Sequence, residues 1–377
     1  MCVIEPKQTD AVHFYLPNFA GGGAERVFIR VANHLASRDT NVILIVNNEN
    51  GPLRSLLDDA VTLKVLNAPK ALLAIPKLIT HLRETKPVSL ISALTRTNVA
   101  ALLAARLAGV GTKVIVCERN TYSVLMRTLG PARRVILNLL VCWLYPSAKA
   151  VIGNTERVRR DIVLAAKLEL DKTGIIHNPA PDLTEIAAAR TAPATHPWIS
   201  DDGPVAVAIG RLVPQKDYNT MIAAIAQSGP DLRLLILGDG PDRASLAAFA
   251  NEIGVGARVE FLGFQMDRLA YLVAADIFLM SSITEGFPNA LMEAVSAGIP
   301  SVSTDCAGGG AHEIMGDELS DWIVPVGDSA AMAAVIQTVL AARPELNDHA
   351  VRDRIAQRAD RFHIDRIVDA FLARALS

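Results

Sequence analysis

The strongest constraint on this chain is an alternation that occurs twice. Continuously apolar runs come first as AVHFYL (11–16), NVILIV (41–46), VSLISA (88–93), KVIVCE (113–118) and AVIGN (150–154). They recur as VAVAIG (205–210), LRLLILG (232–238), VEFLG (259–263), IFLMSS (277–282) and PSVST (300–304). Between them lie amphipathic stretches such as AERVFIRVANHLASR, NTMIAAIAQS and DRASLAAFANEIG. Runs that are apolar throughout, rather than at every second residue, suit strands covered on both faces. Each series therefore predicts a parallel sheet assembled from strand–helix–strand units. A stretch rich in Pro, Ala, Thr and Asp, 179–204, separates the two series. The expected class is α/β, with two doubly wound parallel-sheet domains and a cleft between them. The boundaries expected are 1–180, a linker over 181–204, a second domain over 205–355, and a closing helix over 356–377 that can cross back to the first. A length of 377 residues agrees with two domains.

Composition narrows the class. The chain is 51% hydrophobic and 20% charged, enough apolar material for large cores. Its four cysteines, Cys2, Cys117, Cys142 and Cys306, are scattered, without the paired spacing of a zinc site or a disulfide framework. That usage fits a reducing cytoplasm. The opening MCVIEPKQTD lacks the basic-then-apolar pattern of a signal segment. The most apolar run, 135–145, has 11 residues including Asn138, against about 20 for a membrane-spanning helix. A cytoplasmic chain, soluble or peripheral at the inner face of the membrane, is expected. Residues 1–185 carry 23 Lys/Arg against 15 Asp/Glu, and the remainder 14 against 24. A basic half and an acidic half point to different partners, with ordinary surface charge as the plainer reading.

Five stretches are candidates for chemistry. Gly21, Gly22 and Gly23 follow the first strand and open a helix, where backbone N–H groups can approach an anion. The run is neither GxGxxG nor a P-loop, so nicotinamide and Walker-type readings lose support; a flexible turn is the alternative. After the sixth run come Gly210, Arg211 and Lys216. Cations beyond the carboxyl end of a strand suit a diphosphate, although such residues are commonly just solvated. The turn Gly238-Asp239-Gly240-Pro241 is either a tight helix start or a base- or ribose-facing loop. In SSITEGFPNALMEAVSAGIPSVSTD (281–305), Gly286 and Pro288 end the strand and start a helix near Pro288. Glu285 then falls in the loop and Glu293 just over one turn inside the helix. The N–H groups of Asn289, Ala290 and Leu291 become helix-start donors between two carboxylates. Last, DCAGGGAHEI (305–314) places another glycine run before His312 and Glu313.

Taken in order, GGGAERV, GRLVPQK, GDGP, VEFLGF and above all the Glu-x7-Glu stretch EGFPNALMEAVSAGIPSVSTD resemble the retaining glycosyltransferases of family 4. The wording is most similar to the bacterial subgroup that builds lipopolysaccharide, capsule and exopolysaccharide. The resemblance spans nearly the whole chain and implies the GT-B fold, two Rossmann-like domains facing a cleft. It implies a metal-independent hexosyltransferase that takes a nucleotide sugar, expected to be a UDP-sugar, and passes the sugar to a glycan or lipid-linked acceptor. It implies no cofactor beyond the nucleotide-sugar substrate, no nucleic-acid partner, and no metal, in keeping with the absence of any Asp-x-Asp. Arg211 and Lys216 would bind the donor diphosphate and stabilise the leaving nucleotide. Glu285 would hold the sugar hydroxyls, the Gly286–Phe287–Pro288–Asn289–Ala290–Leu291 backbone would meet sugar and phosphate, and Glu293 would take the ribose. The Gly21–Gly23 loop would lie near the phosphates and acceptor.

One departure stands out. Many family members carry a histidine after the strand that here ends VIVCERN, near the donor sugar. Glu118, Arg119 and Asn120 take its place and are expected donor or acceptor contacts. In the first domain, Arg127, Arg133 and Arg134 border the apolar 135–145 segment, an arrangement suited to an anionic membrane face or a lipid diphosphate, or simply a core helix with charges at one end. Two alternatives remain open: a GT-B enzyme with a small soluble acceptor, and an inactive nucleotide-sugar-binding scaffold.

Overall fold

The computed structural model describes residues 11–201, 203–346 and 348–376. The expectations for Cys2 and for the MCVIEPKQTD segment lie outside them. The chain divides into two compact units, one running to Pro179 and resuming at Ile364, the other Ala180–His363.

In the first unit, β1 (Val12–Leu16), β2 (Val42–Val46), β3 (Thr62–Val65), β4 (Ser89–Ala93), β5 (Lys113–Glu118), β6 (Ala150–Gly153) and β7 (Thr173–Ile175) form one sheet in the order β3-β2-β1-β4-β5-β6-β7. Every pairing is parallel. Around it run α1 (Gly23–Ser37), α2 (Ala71–Thr85), α3 (Thr95–Ala108), α4 (Tyr122–Arg127), α5 (Pro131–Leu144) and α6 (Glu156–Ala166). Because strand side chains alternate, each strand feeds two cores. Tyr15, Ile45, Leu90 and Val116 join α2 and α3 on one face, while Phe14, Leu44, Ile91 and Ile115 join α1 on the other. That double burial is why the strand sequences are apolar throughout.

In the second unit, β8 (Val205–Ile209), β9 (Arg233–Leu237), β10 (Val259–Gly263), β11 (Ile277–Met280), β12 (Ser301–Thr304) and β13 (Ile323–Val324) are parallel in the order β10-β9-β8-β11-β12-β13. Its helices are α7 (Leu183–Thr191), α8 (Tyr218–Gln227), α9 (Arg243–Glu252), α10 (Arg268–Val273), α11 (Asn289–Ser296), α12 (Gly310–Met315), α13 (Ser329–Ala341), α14 (Arg343–Leu346) and α15 (His349–Ala356). The strand order reverses between β8 and β11, the switch point at which α/β sheets open a crevice beyond their carboxyl ends.

Two boundaries differ from the sequence reading. The stretch expected to be a linker carries α7, started by an Asp182/Glu185 capping box, and Ile186 is buried in the second unit's core. The closing helix is shorter than 356–377. A 3-10 turn, Gln357–Phe362, stays with the second unit, and α16 (Ile364–Leu376) belongs to the first. There Phe371 meets Phe28 edge-on at 5.7 Å, and Asp365 and Asp369 pair with His34 and Arg38 of α1, each at 2.7 Å. Among the described residues no helix is long and apolar enough to cross a membrane, and Cys117, Cys142 and Cys306 are free thiols.

A histidine pair in the first core makes the fold sensitive to acid. His13 and His81 are 0% and 4% exposed, with their ring nitrogens 3.3 Å apart. Burial lowers His13 to about 4, helped by His81, and burial also lowers His81, helped by Lys64. Below about 6.5 the unfolded chain takes up these protons before the folded one, so stability falls as pH drops toward 4. Urea titrations of the wild type and a His13→Asn/His81→Gln variant should show the wild type losing up to ~1.4 kcal/mol per pH unit per histidine more than the variant. Parallel pH profiles would contradict this.

Candidate functional site

Four loops meet beyond the carboxyl ends of β8, β9, β11 and β12. The first, Gly210–Asp217, lies directly on the β9 loop. Leu212 donates its N–H to the Asp239 carbonyl at 3.0 Å, and Asp242 donates back to the Leu212 carbonyl at 3.1 Å. A Cβ at Gly238 would fall 1.9 Å from the Gly210 carbonyl oxygen, and one at Gly240 2.2 Å from that of Leu212. These two glycines are needed so that one loop can lie against the other, whatever else they touch.

The β11 loop is sewn to the same segment. Ile283 donates its N–H to the Gln215 carbonyl at 2.9 Å, the Gln215 side chain donates to the Thr284 carbonyl at 2.7 Å, and the Ser281 hydroxyl donates to the Lys216 carbonyl at 2.9 Å. This stitching brings the Lys216 ammonium onto the Glu285 carboxylate, where Ser282 adds a hydroxyl donor at 3.1 Å. Both side chains are largely buried, at 21% and 14% exposure, so little solvent screens the pair. Arg211, from the same loop, is exposed.

From the other side the β12 loop supports Glu285. Thr304 donates its hydroxyl to the Ser282 carbonyl at 2.6 Å. A Cβ at Gly308 would lie 1.7 Å from the Glu285 carbonyl oxygen, and one at Gly310 2.3 Å from that of Gly286. The run Gly308–Gly310 thus permits backbone to lie flat against Glu285–Pro288. Cys306 is buried beside it, and burial pushes its thiol up to about 12, with Glu285 adding to the rise, so it is no thiolate at neutral pH. His312 pairs with Asp305 at 3.2 Å on the surface.

Helix α11 begins at Asn289 with Pro288 as its N-cap and no side-chain cap. Phe287 and Leu291 turn their side chains into the core, Phe287 edge-on to Phe362 at 5.0 Å, which leaves their backbone to the site. Glu293 is 7% exposed. Its Oε1 accepts from Arg268 of α10, while Oε2 is buried with no hydrogen-bond partner among the described residues. Arg268 was missed by sequence reading: it lies 25 residues from Glu293, and no local pattern signals the contact.

The remaining candidates belong to the first unit. Gly22 caps α1, Gly23 is its first residue, and Gly21 holds a φ of +89°, which favours glycine. Glu118 is 2% exposed, and its carboxylate accepts from Thr95 at 2.8 Å, from Asn98 at 3.2 Å and from the Tyr145 hydroxyl. Burial raises its pKa to about 7, against the lowering effect of those bonds. This side chain ends β5 facing the α3 core, where those three donors occupy its carboxylate. Arg119 is buried and Asn120 exposed.

Residues 21–181 match the family model described as Glycosyltransferase Family 4, and residues 196–360 that described as Glycosyl transferases group 1. The lipopolysaccharide core biosynthesis glycosyltransferase LpsE of Rhizobium meliloti is 35% identical over 176 residues, 45% of this chain and 49% of that protein. A Campylobacter jejuni N-acetylgalactosaminyltransferase acting on a diphospho-undecaprenol-linked sugar is 30% identical over 66% of this chain and 65% of its own. The chain thus spans about half to two thirds of these curated relatives. Among solved structures, Anabaena HepE in complex with UDP and glucose superposes with a TM-score of 0.79 at 19% identity, covering 96% of this chain and 98% of that one. At that identity the likeness shows the shared fold.

The close approaches predict a sharp position dependence. Gly308→Ala should destabilise the second unit by about 1–3 kcal/mol, because backbone rather than a flexible side chain opposes the new methyl. Gly130→Ala, where nothing lies within 4 Å and only the glycine N-cap of α5 is lost, should change stability by less than ~1 kcal/mol. Denaturant titration distinguishes them, and equal effects would contradict the packing described.

Proposed function

Since the chain belongs to the family 4 glycosyltransferases, we propose that it transfers a sugar from a UDP-sugar to a growing surface or lipid-linked glycan, retaining the anomeric configuration and needing no metal. The observation that carries this reading is the cradle of the second unit. A Lys216–Glu285 pair stands beside the start of α11, and beyond it Glu293 presents a buried carboxylate oxygen without a partner. Lys216 and Arg211 would hold the diphosphate, aided by the positive helix start. Glu285 would accept from the sugar hydroxyls, and Glu293 Oε2 from the ribose.

In the transfer, the acceptor hydroxyl oxygen bonds to the anomeric carbon as the bond from that carbon to the diphosphate oxygen breaks. The acceptor proton passes to the departing phosphate oxygen, and attack from the leaving-group face keeps the configuration. Negative charge grows on the diphosphate, where Lys216, Arg211 and the α11 amides are already oriented. Donors fixed in place before the reaction supply much of the rate gain in many enzymes. The side-chain cations and helix dipole take the place that a metal clamp fills in enzymes with an Asp-x-Asp.

The acceptor side is assigned to the first unit, at the membrane surface. Helix α5 buries Leu137, Val141 and Leu144 but leaves Val135, Ile136, Leu139 and Trp143 between 55% and 64% exposed along one face. Arg127, Arg133 and Arg134 are exposed near its start, and Arg106 stacks on Trp143 at 5.3 Å. An apolar stripe flanked by cations matches an anionic bilayer surface.

Two outcomes test the proposal. A panel of nucleotide sugars should raise the melting temperature for UDP-linked donors by roughly 5 °C near 100-fold Kd. Lys216→Ala should erase the rise, and Glu285→Ala should cut transfer at least ~100-fold, with EDTA leaving the wild-type rate unchanged. Unimpaired transfer by Glu285→Ala would sink the active reading. Separately, the chain should co-sediment with vesicles rich in anionic lipid, and Leu139→Glu should release it. Equal sedimentation with neutral vesicles would contradict the surface assignment.

A further inference from the structure

Among the described residues, the first unit contains a buried charge with no paired carboxylate. Arg119 directly follows β5, and the pleat points it away from Glu118, toward the face covered by α1, where its guanidinium lies 5.4 Å over the Phe28 ring. It is 5% exposed. Its Nη2 donates to Asn178, and its carbonyl accepts from Asn154 at 3.1 Å. Among the described residues, Nε and Nη1 are buried with no hydrogen-bond partner, as are Asn154 Oδ1, just beyond β6, and Thr121 Oγ1, three residues beyond β5. The one nearby carboxylate in sequence, Glu118, is committed to Thr95, Asn98 and Tyr145 on the opposite face.

Burying a guanidinium without a counter-ion is costly, and one amide and one ring face recover only part of that cost. Arginine stays charged under such burial, here held lower, to about 10, by desolvation. Neighbouring polar atoms left unmatched at the carboxyl ends of β5 and β6, next to the exposed Asn120, mark the place where α/β sheets receive ligands.

We infer that Arg119 is the anchor of an anion subsite, binding a phosphate or carboxylate group of a ligand that enters at the carboxyl ends of β5 and β6. The anion accepts from an unmatched Arg119 donor, Nε–H on the side edge of the guanidinium or Nη1–H at its end, and from the Thr121 hydroxyl, while Asn154 Oδ1, an acceptor, takes a hydroxyl of the same ligand. Only the source of the anion, an acceptor's diphosphate or an acidic sugar, rests on the reading of the first unit as the acceptor side.

The test uses the full chain carrying Arg211→Gln and Lys216→Gln, which removes the proposed donor cations. Inorganic pyrophosphate, phosphate and glucuronate are titrated while melting is followed. At least one should raise the melting temperature by roughly 5 °C at saturation. Adding Arg119→Gln should abolish that rise, and Arg119→Lys should keep a smaller one. Without anion, Arg119→Gln should melt at or above its parent, because it deletes an uncompensated buried charge. A larger response to pyrophosphate identifies the diphosphate source, and one to glucuronate the acidic sugar. A rise that survives Arg119→Gln, no rise with any of the three, or an anion-free Arg119→Gln chain that melts well below its parent overturns the inference. None of these depends on the donor-site variants failing or succeeding in transfer.

Discussion

Everything proposed for the second unit depends on how closely four loop backbones approach one another. Lys216 reaches Glu285 only because Gln215 and Ser281 stitch the β8 and β11 loops together. Glu285 in turn sits where it does because Gly308 lets the β12 loop press on its carbonyl, and Gly238 and Gly240 do the same for the loop behind Lys216. The ion pair is thus a product of backbone packing, not of two flexible side chains finding each other on a surface. That distinction carries energy. A pair held at 21% and 14% exposure by a rigid frame has its geometry set before any ligand arrives, so ligand binding orders little.

Much of this was legible in the sequence because the physics involved is local. A strand buried on both faces must be apolar throughout, and all ten strands expected on that ground are present. The exceptions are β3, β7 and β13. Thr62–Val65 alternates exposed and half-buried positions at a sheet edge, while Thr173–Ile175 and Ile323–Val324 have three and two residues. None offers a run long enough to stand out. The helix start after Pro288 was equally readable, since proline fixes where the first turn can begin. The ends of the second domain were less so. Composition alone made 179–204 resemble a linker, yet Asp182 and Glu185 form a capping box whose spacing is itself a helix-start signal.

What the sequence hid is pairwise and distant. No pattern announces that Arg268 grips Glu293, or that Glu118 and Arg119, adjacent in the chain, face different cores. Strand pleat separates them: Glu118 is satisfied by three side chains and raised to about 7, whereas Arg119 is left with unmatched donors. Reading ERN as one motif therefore merged two unlike environments. The same kind of division explains why Phe287 and Leu291 contribute backbone rather than side chains to the site, their ring and methyls being needed by the core.

The most direct measurement is a crystal structure of the chain with a bound UDP-sugar. The account predicts the diphosphate within hydrogen-bond reach of Lys216 Nζ and the first turn of α11, a ribose hydroxyl on Glu293 Oε2, and Arg268 still holding Oε1. A nucleotide bound away from Glu285 and Glu293, or a Glu293 Oε2 that stays without a partner in the complex, would contradict it.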